Sequence, residues 1–218
     1  MTREEALEQY RIYRKACVKI QTDAITKIPV KLLLETFKQL NLSDGKRLLT
    51  GAEKELELGY DLALYTTRPG RSTTAIESYA KTFASEDWDE IGVMRALCRS
   101  SFSIWEVVRR HEVAGLVVED MLRGGEHWLM DETLEKTAIP NTVVAMRLAQ
   151  PDEFVISCGV AIPLEFEVAM GIIATLLSHL PEEQWESALH HLADSTRLPR
   201  TVYNYALDLK LMEDASFQ

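Results

Sequence analysis

Five carboxylates crowd the stretch "VVEDMLRGGEHWLMDE", residues 117–132: Glu119, Asp120 and Glu126 flank Arg123-Gly124-Gly125, and Asp131 and Glu132 follow one strand-length on. Carboxylate oxygens held within a few ångströms of one another can bind a hard cation or act as general acid and base. Strand alternation sends Glu119 and Asp120 to opposite faces of a sheet, so only one can join a given site. The structural use of such charges is to keep an edge strand from pairing. Arg147, in "VVAMRLA", is a lone charge in an apolar strand. It is expected to pair with Asp120 or Glu106 across the sheet, either as a structural ion pair or as the polar anchor of a ligand pocket. Asp120, Glu126 and Arg147 are therefore the candidate ligand or interaction residues.

Other chemistries have thinner support. Arg68 and Arg71 in "TTRPGRSTT" lie among hydroxyls and are candidate anion-binding residues, although a Pro-Gly turn capped by Ser72 explains the same segment. No phosphate-binding G-x-x-x-x-G-K-[ST], dinucleotide Gly-rich loop or G-x-S-x-G occurs. His111, His127, His179, His190 and His191 contain no H-E-x-x-H, and adjacent His190 and His191 diverge on a helix. Cys17, Cys98 and Cys158 lie too far apart in sequence for a short zinc-ligand spacing and read as buried thiols in a reducing compartment. No catalytic set, metal site or cofactor is assigned.

The elements that must position these residues follow from periodicity. A helix over residues 2 to about 26 carries Ala6, Tyr10, Tyr13, Cys17, Ile20 and Ala24 on one stripe, with Thr2 and Glu5 as a capping box. On its other faces lie Arg11, Arg14, Lys15 and Lys19. Helices follow in "PVKLLLETFKQLN", facing a core with Val30, Leu33, Leu34 and Phe37, and in "LTGAEKELELGYDLALYTT", with Leu56, Tyr60, Ala63 and Leu64 inward. A further helix from Ser85 to about Arg99 buries Trp88, Ile91, either Met94 or the stem of Arg95, and Cys98. Then the period changes to two. Strands are expected near 102–110, 114–120, 126–131, 142–149 and 153–162, with Gly124 and Gly125 supplying the positive backbone angle of a tight hairpin. "ETLEKTAIP" makes an irregular or helical turn, and helices resume after Pro163.

The fold class is therefore α+β: a helical region over 1–100, a small antiparallel sheet or partly open barrel over 101–163, and C-terminal helices over 164–218 packing back as one compact fold. The 218 residues carry a net charge of −10. Residues 1–100 hold 16 basic and 15 acidic side chains and residues 101–218 hold 8 and 19, so the acidity belongs to the second half. That balance argues against nucleic acid as a partner. No apolar run approaches the roughly 18 residues of a membrane span, and the charged start has no signal-like core, so a cytoplasmic protein is expected.

The order of features in "FSIWEVVRRHEVAGLVVEDMLRGGEHWLMDETL", "VVAMRLA" and "VISCGVAIPL", led by "GYDLALYTTRPGRSTTAIESYA", resembles uncharacterised bacterial proteins in which this segment is sometimes followed by a SEC-C zinc-binding tail. The resemblance spans about residues 59–165. Pro140-Asn141-Thr142 replaces the family's P-G-D turn, and the cysteine-rich tail is missing, so no zinc site carries over. The resemblance supports an architecture and implies no activity. The expected function is a non-enzymatic protein-interaction or regulatory module that self-associates and presents its acidic hairpin to a protein partner. The alternatives are a metal-dependent or small-molecule hydrolase or ligand-binding protein using Asp120, Glu126 and Arg147, and an RNA-binding protein using the first helix with Arg68 and Arg71.

Overall fold

The computed structural model describes residues 1–67, 72–193 and 195–210. Helix α1 (Arg3–Thr26) opens with the expected capping box between Thr2 and Glu5, and its buried stripe contains every residue read from the spacing. Four helices follow: α2 (Val30–Lys38), α3 (Glu53–Tyr65), α4 (Ala75–Ala80) and α5 (Trp88–Cys98). Three inward faces differ from expectation. Val30 is 70% exposed while Phe37 is buried under Gly59 of α3. In α3 the buried residues are Leu58, Gly59, Asp61, Leu62, Ala63 and Leu64, so the helix turns a carboxylate inward. In α5 the packed residues are Val93, Met94, Ala96 and Leu97; Trp88, just after the capping residue Asp87, is 81% exposed.

The β unit has six strands: β1 (Ser101–Arg110), β2 (Leu116–Asp120), β3 (Glu126–Met130), β4 (Val143–Ala149), β5 (Val155–Ser157) and β6 (Ile162–Leu164), with α6 (Glu132–Thr137) between β3 and β4. Five of them close in the order β1-β2-β3-β5-β4 and back to β1, and β6 adds to β4. β3 and β5 run parallel, which corrects the all-antiparallel expectation. Helix α6 and β4 carry the chain across the barrel, so β5 arrives beside β3 in the same direction. A closed five-stranded barrel with a helix between its third and fourth strands has the layout of an OB-type Greek-key barrel.

The expected strand over 153–162 is broken in two. Its first part pairs Ser157 with Leu148, and pairing with β4 resumes at Ile162 opposite Ala145. Residues 158–161 between them swing past Arg147. A Cβ on Gly159 would stand 2.5 Å from Oδ1 of Asp61, so only glycine lets the backbone come this close to α3.

Trp105, Val118, Leu129, Val144, Met146 and Leu148 fill the barrel interior. The alternate residues of β1 and β4, including Phe102, Ile104, Val143 and Ala145, face outward and pack against α7 (Phe166–Leu177), α8 (Trp185–Ala193) and α9 (Arg197–Asp208). Met130, Ala149 and Ile156 instead meet α1 and α5. Among the described residues, no helix is long and apolar enough to cross a membrane.

Candidate functional site

The three candidate residues do not meet. Asp120 ends β2 and turns inward, 3% exposed, as the keystone of the β2–β3 turn. Its Oδ1 accepts from Ser103 Oγ at 2.5 Å, from Leu122 N at 2.9 Å and from Arg123 N at 3.3 Å, while Arg123 Nη1 lies 3.6 Å from Oδ2. Gly124 (φ +70°) and Gly125 (φ +93°) take the positive backbone angles expected of them. Asp120 is therefore committed to the turn. Asp120→Ala is expected to lower the unfolding free energy by about 2 kcal/mol, because buried donors to a charged acceptor lose their partner. Urea denaturation measures this, and a loss below about 0.5 kcal/mol would contradict the turn role.

Glu126 lies on the outer face. Arg109 donates to both its oxygens, at 2.7 and 2.9 Å, and holds its carboxyl below the usual range. The pairings Glu106↔Glu119 and Glu119↔Glu126 align three carboxylates in one row across β1, β2 and β3. Arg68 and Arg71 lie outside the described residues.

Arg147 is the centre of the polar arrangement, but its partner is not the one expected. Because Val144, Met146 and Leu148 point into the barrel, Arg147 points out, toward the helices and away from Asp120. Its Nε donates to Asp61 Oδ1 of α3 at 3.4 Å, and Tyr203 of α9 donates its hydroxyl to Asp61 Oδ2 at 2.6 Å. Asp61 is 5% exposed, Arg147 5% and Tyr203 0%. The guanidinium carbon stands 4.1 Å above the Tyr65 ring, whose hydroxyl accepts from Gln21 Nε2 at 2.9 Å. Burial alone would lower the pKa of Arg147, but the Asp61 carboxylate together with Tyr203, Cys158 and Tyr65 raises it on balance, and the guanidinium stays charged. Burial first, then Asp61, pushes the Tyr203 phenol well above its ordinary value, so Tyr203 keeps the proton it donates.

Two spaces flank this pair. A 250 Å³ groove beside Asp61 is lined by Arg14, Gln21, Glu57, Cys158 and Gly159 among others, and there burial and Glu53 raise the Glu57 carboxyl. On the other side, a 130 Å³ cavity is lined by Arg147, Tyr65, Thr66, Ser100, Ser101, Phe102, Ser195, Thr196 and Pro199. The Ser195 hydroxyl is fully buried and has no hydrogen-bond partner among the described residues. Burial raises the Cys17 thiol to about 11 and the Cys158 thiol well above its ordinary value, so neither is a thiolate nucleophile at neutral pH. No group of three or more His, Cys, Asp or Glu side chains among the described residues could hold a metal ion.

A family model described as a family of unknown function, DUF7986, matches residues 4–175. The chain belongs to this family. The DUF7986 match takes in Asp61, Tyr65 and Arg147, and stops before the α8–α9 segment that supplies Ser195, Thr196 and Tyr203. No curated protein and no solved structure matches the chain.

Sequence reasoning found Arg147 and missed Asp61, Tyr203 and Ser195. A signal for Asp61 existed. In "LGYDLALY" it is the single charge on an otherwise apolar run, the acidic counterpart of the lone arginine in "VVAMRLA". Ser195, in a short helix connection, offered none.

Proposed function

We propose that this chain is a non-enzymatic ligand-binding protein, regulatory in its use, whose ligand occupies the cavity between α3, β1 and the start of α9. One observation carries the reading: Arg147 and Ser195 line the same 130 Å³ space, and the buried Ser195 hydroxyl at its wall has no hydrogen-bond partner among the described residues. A buried hydroxyl without a partner costs free energy, and a ligand atom is one way to recover it. The sequence-based alternative of a ligand site at Arg147 is kept, with Asp61 and Ser195 in place of Asp120 and Glu126.

The same geometry weighs against nucleic acid. OB-type barrels bind oligonucleotides on the face of their second and third strands, and here that face carries Glu119 and Glu126, continued by Glu106 on β1. On α1, Arg11 bonds Glu132, Arg14 donates to the Ser157 carbonyl and Lys19 pairs with Glu90. The reading includes a bacterial cytoplasmic setting, supported by the likeness to the SEC-C-tailed group and by free cysteines. Self-association through α7 is a second reading, favoured by Phe166 and Met170, one turn apart and 51% and 44% exposed; Phe166→Glu with Met170→Glu is expected to convert an oligomer to a monomer by light scattering.

The test of the binding reading is a set of amide NMR spectra with small carboxylates, phosphates, amines and neutral amides. Saturable shifts at Thr66, Ser101, Ser195 and Thr196 with any of these classes are expected; a full panel without them would overturn the reading.

A further inference from the structure

We infer that the cavity ligand is a small oxyanion, a carboxylate or phosphate head group; this rests on the binding reading above and names its chemistry. Thr66 Oγ1 donates to Leu62 O at 2.6 Å and Ser100 Oγ donates to Leu97 O at 2.8 Å, so both hydroxyl protons are committed. Among the described residues Ser195 Oγ has no partner, and Thr196, the capping residue of α9, makes no side-chain capping bond. Arg147 uses Nε on Asp61, and among the described residues neither Nη takes part in a hydrogen bond. The donor-only group left over is the guanidinium fork of Arg147, and such a fork matches the paired oxygens of a carboxylate or phosphate. An ammonium ligand would meet the Arg147 charge instead.

Two further features agree. The cavity wall includes Thr196 and Pro199 at the start of α9, a 12-residue helix with no acid in its first turn, so the positive end of the helix faces the site. Asp61 already neutralises Arg147 from the far side, which disfavours a highly charged ligand such as a polyphosphate. The volume points the same way. A cavity of 130 Å³ has room for an oxyanion head group.

The experiment titrates the full chain with sodium phosphate, sodium acetate and methylammonium chloride at constant ionic strength, following amide NMR shifts. It is repeated on Ser195→Ala and on Ser195→Leu, which fills the cavity without touching the ion pair. Phosphate or acetate is expected to saturate shifts at Ser101, Ser195 and Thr196. Ser195→Ala should weaken binding by about fivefold, the worth of one hydrogen bond, and Ser195→Leu should abolish it. Phosphate alone identifies a phosphate head, acetate alone a carboxylate. Shifts with methylammonium only would overturn the oxyanion while leaving the binding protein standing, and no cavity shift here or with the neutral amides of the wider panel would overturn both. Anion shifts confined to exposed Arg197 and Arg200, or unchanged by Ser195→Leu, would also overturn the inference.

Discussion

Asp61→Leu is expected to lower the unfolding free energy by about 3–5 kcal/mol, the largest loss of any single substitution considered, because it strands a buried guanidinium without its counter-charge. The surroundings of Arg147 explain the size. The side chain is 5% exposed, its charge is held by Asp61, and Tyr203 donates to that same carboxylate. Removing Asp61 therefore leaves one charge and one phenol unpaired. The double variant Asp61→Leu with Arg147→Met removes both charges, and it is expected to regain most of the loss, since a buried pair is often nearly neutral against apolar residues of similar volume. Urea denaturation of wild type, both single variants and the double variant measures the coupling. Additive losses would mean that the two residues act independently and would remove the ion pair from the account.

Gly115→Ala is the second large effect, on the order of 3 kcal/mol. The backbone there has φ +75°, and an added Cβ would lie 2.2 Å from the Leu129 carbonyl oxygen and 3.0 Å from Met130 Sδ. A backbone carbonyl in the barrel wall cannot move aside, so the strained conformation and the overlap add together. Gly124 provides the control. Its φ is +70° but nothing lies within 4 Å of an added Cβ, so Gly124→Ala should cost only about 1–2 kcal/mol. Thermal unfolding of the two variants compares them, and equal losses would show that backbone angle alone decides.

What the sequence revealed was mainly local. The Thr2–Glu5 capping box spans three residues, and Gly124 and Gly125 declare a positive backbone angle by composition alone. Arg147 also stood out, as a charge in an apolar strand. Its partner did not, because Asp61 lies 86 residues earlier in the chain, and Tyr203 lies 142 residues beyond Asp61. The parallel pairing of β3 with β5 was hidden for the same reason: period-two alternation identifies a strand and leaves its neighbour and direction open. Trp88 went the other way. A large aromatic at helical spacing suggested burial, but α5 packs through smaller residues and leaves the ring at its exposed first turn.

The closed ring of strands governs how the folded chain meets other chains. A sheet that returns to its first strand has few unpaired backbone groups along its sides, and those are what stray strands attach to during aggregation. The free margin of β6 is three residues long and contains Pro163, which has no N–H to donate. A fibril seeded on the folded state would find little to copy here, so resistance to strand-templated aggregation is built into the topology itself.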